Sequence, residues 1–235
     1  VVRTELPSSQ YTSWRTRLFS GVKAWVSRSS RIRSAAAPGT SWPRSPLSAP
    51  GRAELPVVTF EHCLGATVRE LARQVGLQDV QEICFASQAN SFTLLDRADR
   101  PLLPFVLWTD QRARVLEPFW NSFIESPAFY ATTGIPRLDH HFMVTKLAWL
   151  HHNEPNVISR VNRLSSISDY LVFWLTGAHA AEMGLASLTG IVDIRNGCYW
   201  HESVSAFSIE RSWLPELIRA GQRVGPIRSE LRIEW

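Results

Sequence analysis

The chain has 235 residues, enough for one large domain or two small ones; 45% of them are hydrophobic and 20% charged, as in an ordinary globular protein. No apolar run approaches the roughly 18–20 residues of a membrane-spanning helix, so an integral span is excluded. The net charge of +4 is unevenly spread, and three scattered cysteines (Cys63, Cys84, Cys198) form neither a disulfide framework nor a CxxC zinc pattern, which fits a reducing, cytoplasmic setting.

Residues 1–55 carry eight Arg and one Lys against two Glu, with eleven Ser and five Pro, whereas residues 56–235 carry 16 basic against 19 acidic residues. Such a basic, low-complexity segment buries too little apolar surface to offset its ordering entropy, so it is expected to be disordered or non-native, with folding beginning near Pro56. Trp14, Leu18, Phe19, Val22, Trp25 and Val26 share one helical face, with Arg15, Arg17 and Lys23 elsewhere. That pattern is compatible with an organellar transit peptide or an anionic membrane surface. Nucleic-acid binding is not expected, because no recognition motif stands behind the charge. The abrupt change near residue 55 and the lack of Met before Met143 also fit a fragment or a shifted reading frame.

Further along, Phe60, Leu64, Val68, Leu71 and Val75 recur at helical spacing and Gly76 is placed to end the helix. Residues 82–86 read as a short buried strand, 91–96 as a second, 97–100 as a polar turn and 103–108 as a third strand. Residues 143–150 and 168–175 show apolar spacing of three and four, the latter stopped by Gly177. Strands first and helices after make an α/β domain with a helical second part.

Several chemistries drop out at once: there is no GxxxxGK[ST], no GxGxxG and no GxSxG. His140-His141 and His151-His152 flank a helix, but adjacent histidines point apart and a metal needs at least three converging ligands, so no metal site is assigned. The run Phe105 to Arg112 is more telling, because an apolar strand there delivers the Trp108 indole, the Asp110 carboxylate and the Arg112 guanidinium within five residues. Sugars are gripped by such sets, an aromatic face against C–H bonds and polar groups against hydroxyls. Ser87-Gln88-Ala89-Asn90 ends the strand 82–86 with two carboxamides, which both donate and accept. Two adjacent strand ends of this kind predict a shared polyol cleft.

The order of these motifs resembles the N-terminal domain of the FGGY carbohydrate kinases. The matching pieces are Ile83 to Gln88, Leu94-Leu95-Asp96 with Arg100-Pro101-Leu102, and Leu107 to Arg112. Thr132 to Pro136, Lys146 to Leu150, Asn153-Glu154-Pro155, Asp169-Tyr170-Leu171, Leu175-Thr176-Gly177, Ala186 to Gly190, Asp193-Ile194, Trp200, Leu214-Pro215 and Gly221 to Gly225 follow in the family's sequence. The resemblance implies a ribonuclease H-like, actin-like ATPase fold and transfer of the ATP γ-phosphoryl group, with Mg, to a sugar or polyol hydroxyl. It also implies that Gln88, Ala89, Asn90 and Trp108 line the sugar pocket, that Asp110 and Arg112 shape it, and that His141 contributes an aromatic contact. Trp149 and Trp174 read as core, and Gly134, Gly177 and Gly190 as turns and caps.

The match has gaps. The family opens with an Asp-x-Gly-Thr hairpin that residues 1–55 do not contain, so the domain is expected to be truncated at its first strands, with an unpaired sheet edge. The family's general base lies in a Gly-rich turn past Trp235, so no catalytic residue is assigned here. The chain alone is then expected to bind sugar, to bind no ATP or Mg, and to be inactive; the alternative is a non-catalytic sugar-binding or interaction module derived from a kinase.

Overall fold

Phe92, Leu94, Leu95, Phe105 and Val106 are fully buried, and the chain folds around them. The structure, a computed structural model, describes residues 22–28, 31–35, 51–75, 82–119 and 121–234. Its first half runs β1 (Val22–Arg28), β2 (Arg31–Ala35), β3 (Glu54–Leu55), α1 (Val57–Val75), β4 (Glu82–Ser87), β5 (Phe92–Leu95) and β6 (Phe105–Val106). After a 3-10 segment at Arg112–Phe119 come α2 (Asn121–Ile124), α3 (Pro127–Thr133), α4 (Met143–Asn153), α5 (Pro155–Ile158), β7 (Arg163–Ser166) and α6 (Ile167–Thr176). β8 (Ala180–Glu182), α7 (Met183–Ser187), β9 (Val192–Asp193), β10 (Cys198–Tyr199), α8 (His201–Ala206), β11 (Glu216–Ile218) and α9 (Ser229–Glu234) complete the described chain.

The main sheet has the order β3-β6-β5-β7, all antiparallel, with Leu55 opposite Phe105, Phe92 opposite Val106 and Leu94 opposite Leu164. Strand side chains alternate between faces, and both faces of this sheet are covered. Phe92, Leu94, Val106 and Leu164 join a larger core with Phe129, Val144, Leu147, Leu150 and Ile191. Leu55, Leu95 and Phe105 join a smaller one with Phe60, Ile167, Tyr170 and Leu171. Each fully buried side chain of this kind contributes about 1.5–3 kcal/mol.

The expected helices form. α1 presents Phe60 to the smaller core, Leu64 packs against it and Val68 is buried; Gly76 and the side chains of Leu71 and Val75 lie outside the described residues. α6 opens on a reciprocal Ser166–Asp169 capping box and ends at Gly177 with φ 82°, a left-handed cap that costs glycine nothing. Trp149 packs on the larger core and Trp174 on the smaller, as the sequence indicates.

Four expectations change. Val22–Arg28 and Arg31–Ala35 are a hairpin, so Val22, Trp25 and Val26 do not form a helical face; their β-branched and aromatic side chains suit a strand where β4 offers a free edge. β1 pairs with β4 in a separate sheet of order β2-β1-β4. Trp14, Arg15, Arg17, Leu18 and Phe19 lie outside the described residues. β4 is not fully buried: Glu82, Cys84 and Ala86 face outward and only Ile83, Phe85 and Ser87 turn inward. β4 and β6 therefore do not neighbour each other in one sheet. Finally, ordered pairing starts before Pro56, since Leu107 donates to the Ala53 carbonyl and Gln111 to that of Gly51.

Candidate functional site

Three loops converge at one end of the main sheet: the one before β5, the one after β6 and the turn before α4. Their junction is Ser91, fully buried, whose Oγ accepts from Gln88 Nε2 at 2.7 Å and from the Trp108 main-chain N–H at 2.9 Å. The two polar ends foreseen in the sequence are thus joined, although through an intervening serine and not through adjacent strands.

Trp108 is 43% exposed, and its ring lies 5.7 Å from that of His141 with the planes tilted by 36°. The His141 ring is oriented by Asp139, whose Oδ1 lies 2.9 Å from Nδ1 and accepts the His141 main-chain N–H at 2.8 Å. Burial pushes the Asp139 carboxyl up, and its bonds to His141 outweigh this and leave it below the usual range. Lys146 is fully buried and donates to the main-chain carbonyls of His141 at 2.7 Å and Trp108 at 3.1 Å.

Asp110 and Arg112 do not face the cleft. Asp110 is fully buried and accepts from the Ala53 N–H at 2.7 Å and from the Arg112 main chain, Nε and Nη2 at 3.0, 2.8 and 3.1 Å. Arg112 also pairs with Glu54 and lies over the Trp149 ring at 5.4 Å. The pair anchors the loop that carries Trp108.

Asn90 serves structure too. At φ 62°, its Oδ1 accepts the Met143 N–H at 3.0 Å and its Nδ2 donates to the Leu188 carbonyl at 3.1 Å. Phe142, the residue before α4, offers no side-chain cap, so Asn90 supplies it from another element. With Ala89 it lines a hollow together with Met143, Asp169, Ala186 and Tyr199, of which Trp108 is no part. The seven sequence candidates thus separate: Gln88, Trp108 and His141 meet, Ala89 and Asn90 face the neighbouring hollow, and Asp110 and Arg112 lie behind the wall.

Asp169 lines that hollow with its carboxyl pushed up to about 6 by burial, against hydrogen bonds from Ser166 and Ser168. A folded pKa above the ordinary 3.8 means that the native state holds the proton longer, so stability falls as pH rises from about 4 to 6. Asp169→Asn is expected to abolish that slope, an effect of roughly 2–3 kcal/mol at most; thermal melts of both proteins across this range measure it.

The adjacent histidines do not diverge: the His140 and His141 rings lie 4.0 Å apart, and Asp139, His140 and His141 bring ligand-type atoms within 4.8 Å of one another, the one such group among the described residues. Asp139 Oδ1 is already engaged by His141 twice. Sequence reasoning missed Ser91, Asp139 and Lys146. Lys146 alone had a signal, since residues 143, 146, 147 and 150 share one helical face.

The solved gluconate kinase of Lactobacillus acidophilus superposes on 92% of this chain and 43% of its own, with TM-score 0.75 at 20% identity. The Plasmodium falciparum glycerol kinase solved with ADP superposes on 86% of this chain and 40% of its own, with TM-score 0.69 at 20% identity. Sheet and helices therefore define the class, the actin-like ATPase fold found in sugar kinases. In sequence, xylulose kinase of Lactococcus lactis is 33% identical over 159 residues, 66% of this chain and 30% of that protein. The profile of the FGGY family of carbohydrate kinases, N-terminal domain, matches residues 48–235, and the chain belongs to that family. It spans about a third of the length of the curated relatives it matches.

Proposed function

We propose that the chain carries the sugar- or polyol-binding wall of an FGGY kinase, for ATP-dependent phosphoryl transfer to a hydroxyl in the complete enzyme. The observation that carries this reading is the Trp108–His141 pair, an exposed indole beside an imidazole, with Ser91 bonding the Trp108 main chain and Gln88, and Lys146 bonding the main chains of Trp108 and His141. The two rings offer faces to the C–H side of a sugar, and the free carbonyl oxygen of Gln88 can accept from a hydroxyl.

The reading extends to phosphate and base. ATP with Mg would supply the phosphoryl group and its charge neutralisation. Gly134 and Gly177 end helices, where the backbone presents carbonyls, the wrong polarity for phosphate. Neither glycine therefore fits a phosphate cradle, and no step through ATP is derived. The carboxylates nearest the cleft, Asp110 and Asp139, are held by Arg112, Ala53 and His141, which leaves neither as an obvious base for the attacking hydroxyl. On this account the chain alone binds its sugar without transferring phosphate. The same engagement of both carboxylates favours the second reading, a sugar-binding module of kinase descent. No described helix is long and apolar enough to cross a membrane.

Calorimetric titration with D-xylulose, glycerol and D-gluconate tests the cleft. One of the three should bind, and Trp108→Ala should weaken it at least about tenfold, or 1.4 kcal/mol. The ring is largely outside the core, so the variant should melt like the parent. Identical isotherms for the two proteins would exclude the cleft reading.

A further inference from the structure

Lys146 is one of only two lysines in the chain, with Lys23. It lies on the core face of α4 beside Met143, Leu147 and Leu150, and no part of it is exposed. Among the described residues it makes no ion pair; its Nζ donates to two main-chain carbonyls, those of Trp108 and His141. These are the residues whose rings lie side by side, 5.7 Å apart, and they belong to loops far apart in sequence. A buried ammonium is costly, and an apolar residue would have packed this face at less cost, so the position calls for an explanation beyond packing.

We propose that Lys146 is the positioning residue of the sugar site, its amine fixing the placement of Trp108 and His141 relative to each other by bonding both main chains. This deepens the cleft reading and rests on it. The charged and titratable groups around the amine are Asp110 and Arg112 after β6, Glu54 behind Arg112 on β3, and Asp139, His140 and His141 before α4. Burial drives the amine down to about 7, with Arg112 acting in the same sense and Asp110 and Asp139 opposing it. As an ammonium it makes two charge-assisted bonds, about twice as strong as neutral ones; as a neutral amine it holds the carbonyls more weakly. Ligand affinity is therefore highest with the amine protonated and declines as pH rises through 7. By reciprocity a bound ligand holds the proton on.

With two lysines, labelling the chain with 13C-lysine gives two Cε signals, assigned by Lys146→Met. The Lys146 signal should titrate near pH 7, and the Trp108 indole N–H, assigned by Trp108→Phe, should move with the same midpoint. His141→Gln, which removes the neighbouring imidazole, should leave both midpoints in place. A saturating sugar should raise the Lys146 midpoint by roughly one pH unit, matching a roughly tenfold fall in affinity from pH 6 to 9. Lys146→Met should bind weakly and lose that profile. A Trp108 signal that stays flat through the Lys146 titration overturns the proposal even if Lys146→Met fails to fold or no sugar of the panel binds. So does a Lys146 midpoint unmoved by a sugar whose binding needs Trp108. Binding that survives Trp108→Ala instead overturns the underlying cleft reading.

Discussion

Asp110→Ala is expected to cost about 3–5 kcal/mol, because it strands the Arg112 guanidinium in a buried site without its main counter-charge. Asp110 is fully buried and accepts four hydrogen bonds, one from Ala53 and three from Arg112. Removing it leaves Glu54 as the remaining carboxylate on Arg112. The double variant Asp110→Ala with Arg112→Met should recover part of the loss, since an absent pair costs less than half of one. Urea denaturation of the parent, both singles and the double closes this cycle. The pH dependence has a definite sign. Burial pushes the Asp110 carboxyl up, the bonds from Arg112 and Ala53 outweigh it, and the net result lies below the ordinary 3.8. The stabilisation is then complete above about pH 4 and is lost as pH falls through the lowered folded value. Asp110→Asn should lack that acid-side loss.

The same network shows where a sequence can be read and where it cannot. The strands at 92–95 and 105–106 and the helices at 57–75, 143–153 and 167–176 follow from local spacing, because apolar periodicity is a property of neighbouring residues. The family's motif order singles out Trp108 and His141, and the structure sets their rings side by side. Asn90 was legible as polar and exposed to a cleft, but its partners are Met143 and Leu188. Which donor and which acceptor a carboxamide finds depends on residues 53 and 98 positions away, which no local window contains. The resemblance implies that Asp110 and Arg112 shape the pocket, and their partners Ala53 and Glu54 fall before the boundary drawn at Pro56, where composition alone suggested disorder. Composition averages over a segment and cannot register that two residues at its end complete a sheet. Ser91 and Lys146 are ordinary residue types whose importance comes only from which loops they join. The Val22–Arg28 strand fails for a related reason: its apolar spacing satisfies a helix, and pairing with β4 decides otherwise.

Phe105→Ala is expected to destabilise the protein by about 3–5 kcal/mol, the usual range for emptying a fully buried phenylalanine site. The ring stands edge-on to Phe60 of α1 at 5.2 Å and to Tyr170 of α6 at 5.3 Å. Those two helices are otherwise linked here by the Tyr170 hydroxyl donating to Glu61 at 2.6 Å, a bond that burial of the phenol helps to keep protonated. Without the ring, the smaller core keeps its hydrogen bond but loses the aromatic contact on both sides of it. Relaxation is limited because Phe105 is paired to Leu55 across the sheet and cannot follow the collapse. Phe105→Leu refills most of the volume and should cost less than about 1.5 kcal/mol. For a chain of this size each kcal/mol lowers the melting temperature by roughly 2–4 °C, so the two variants are separable by calorimetry. Phe105 and Asp110 hold the Trp108 loop from opposite ends, one by packing and one by hydrogen bonds. Since Ser91 and Lys146 grip Trp108 independently of the smaller core, sugar affinity per folded molecule should be the same in Phe105→Leu as in the parent. A parallel loss of affinity and stability in that variant would show instead that the cleft and the smaller core are one mechanical unit.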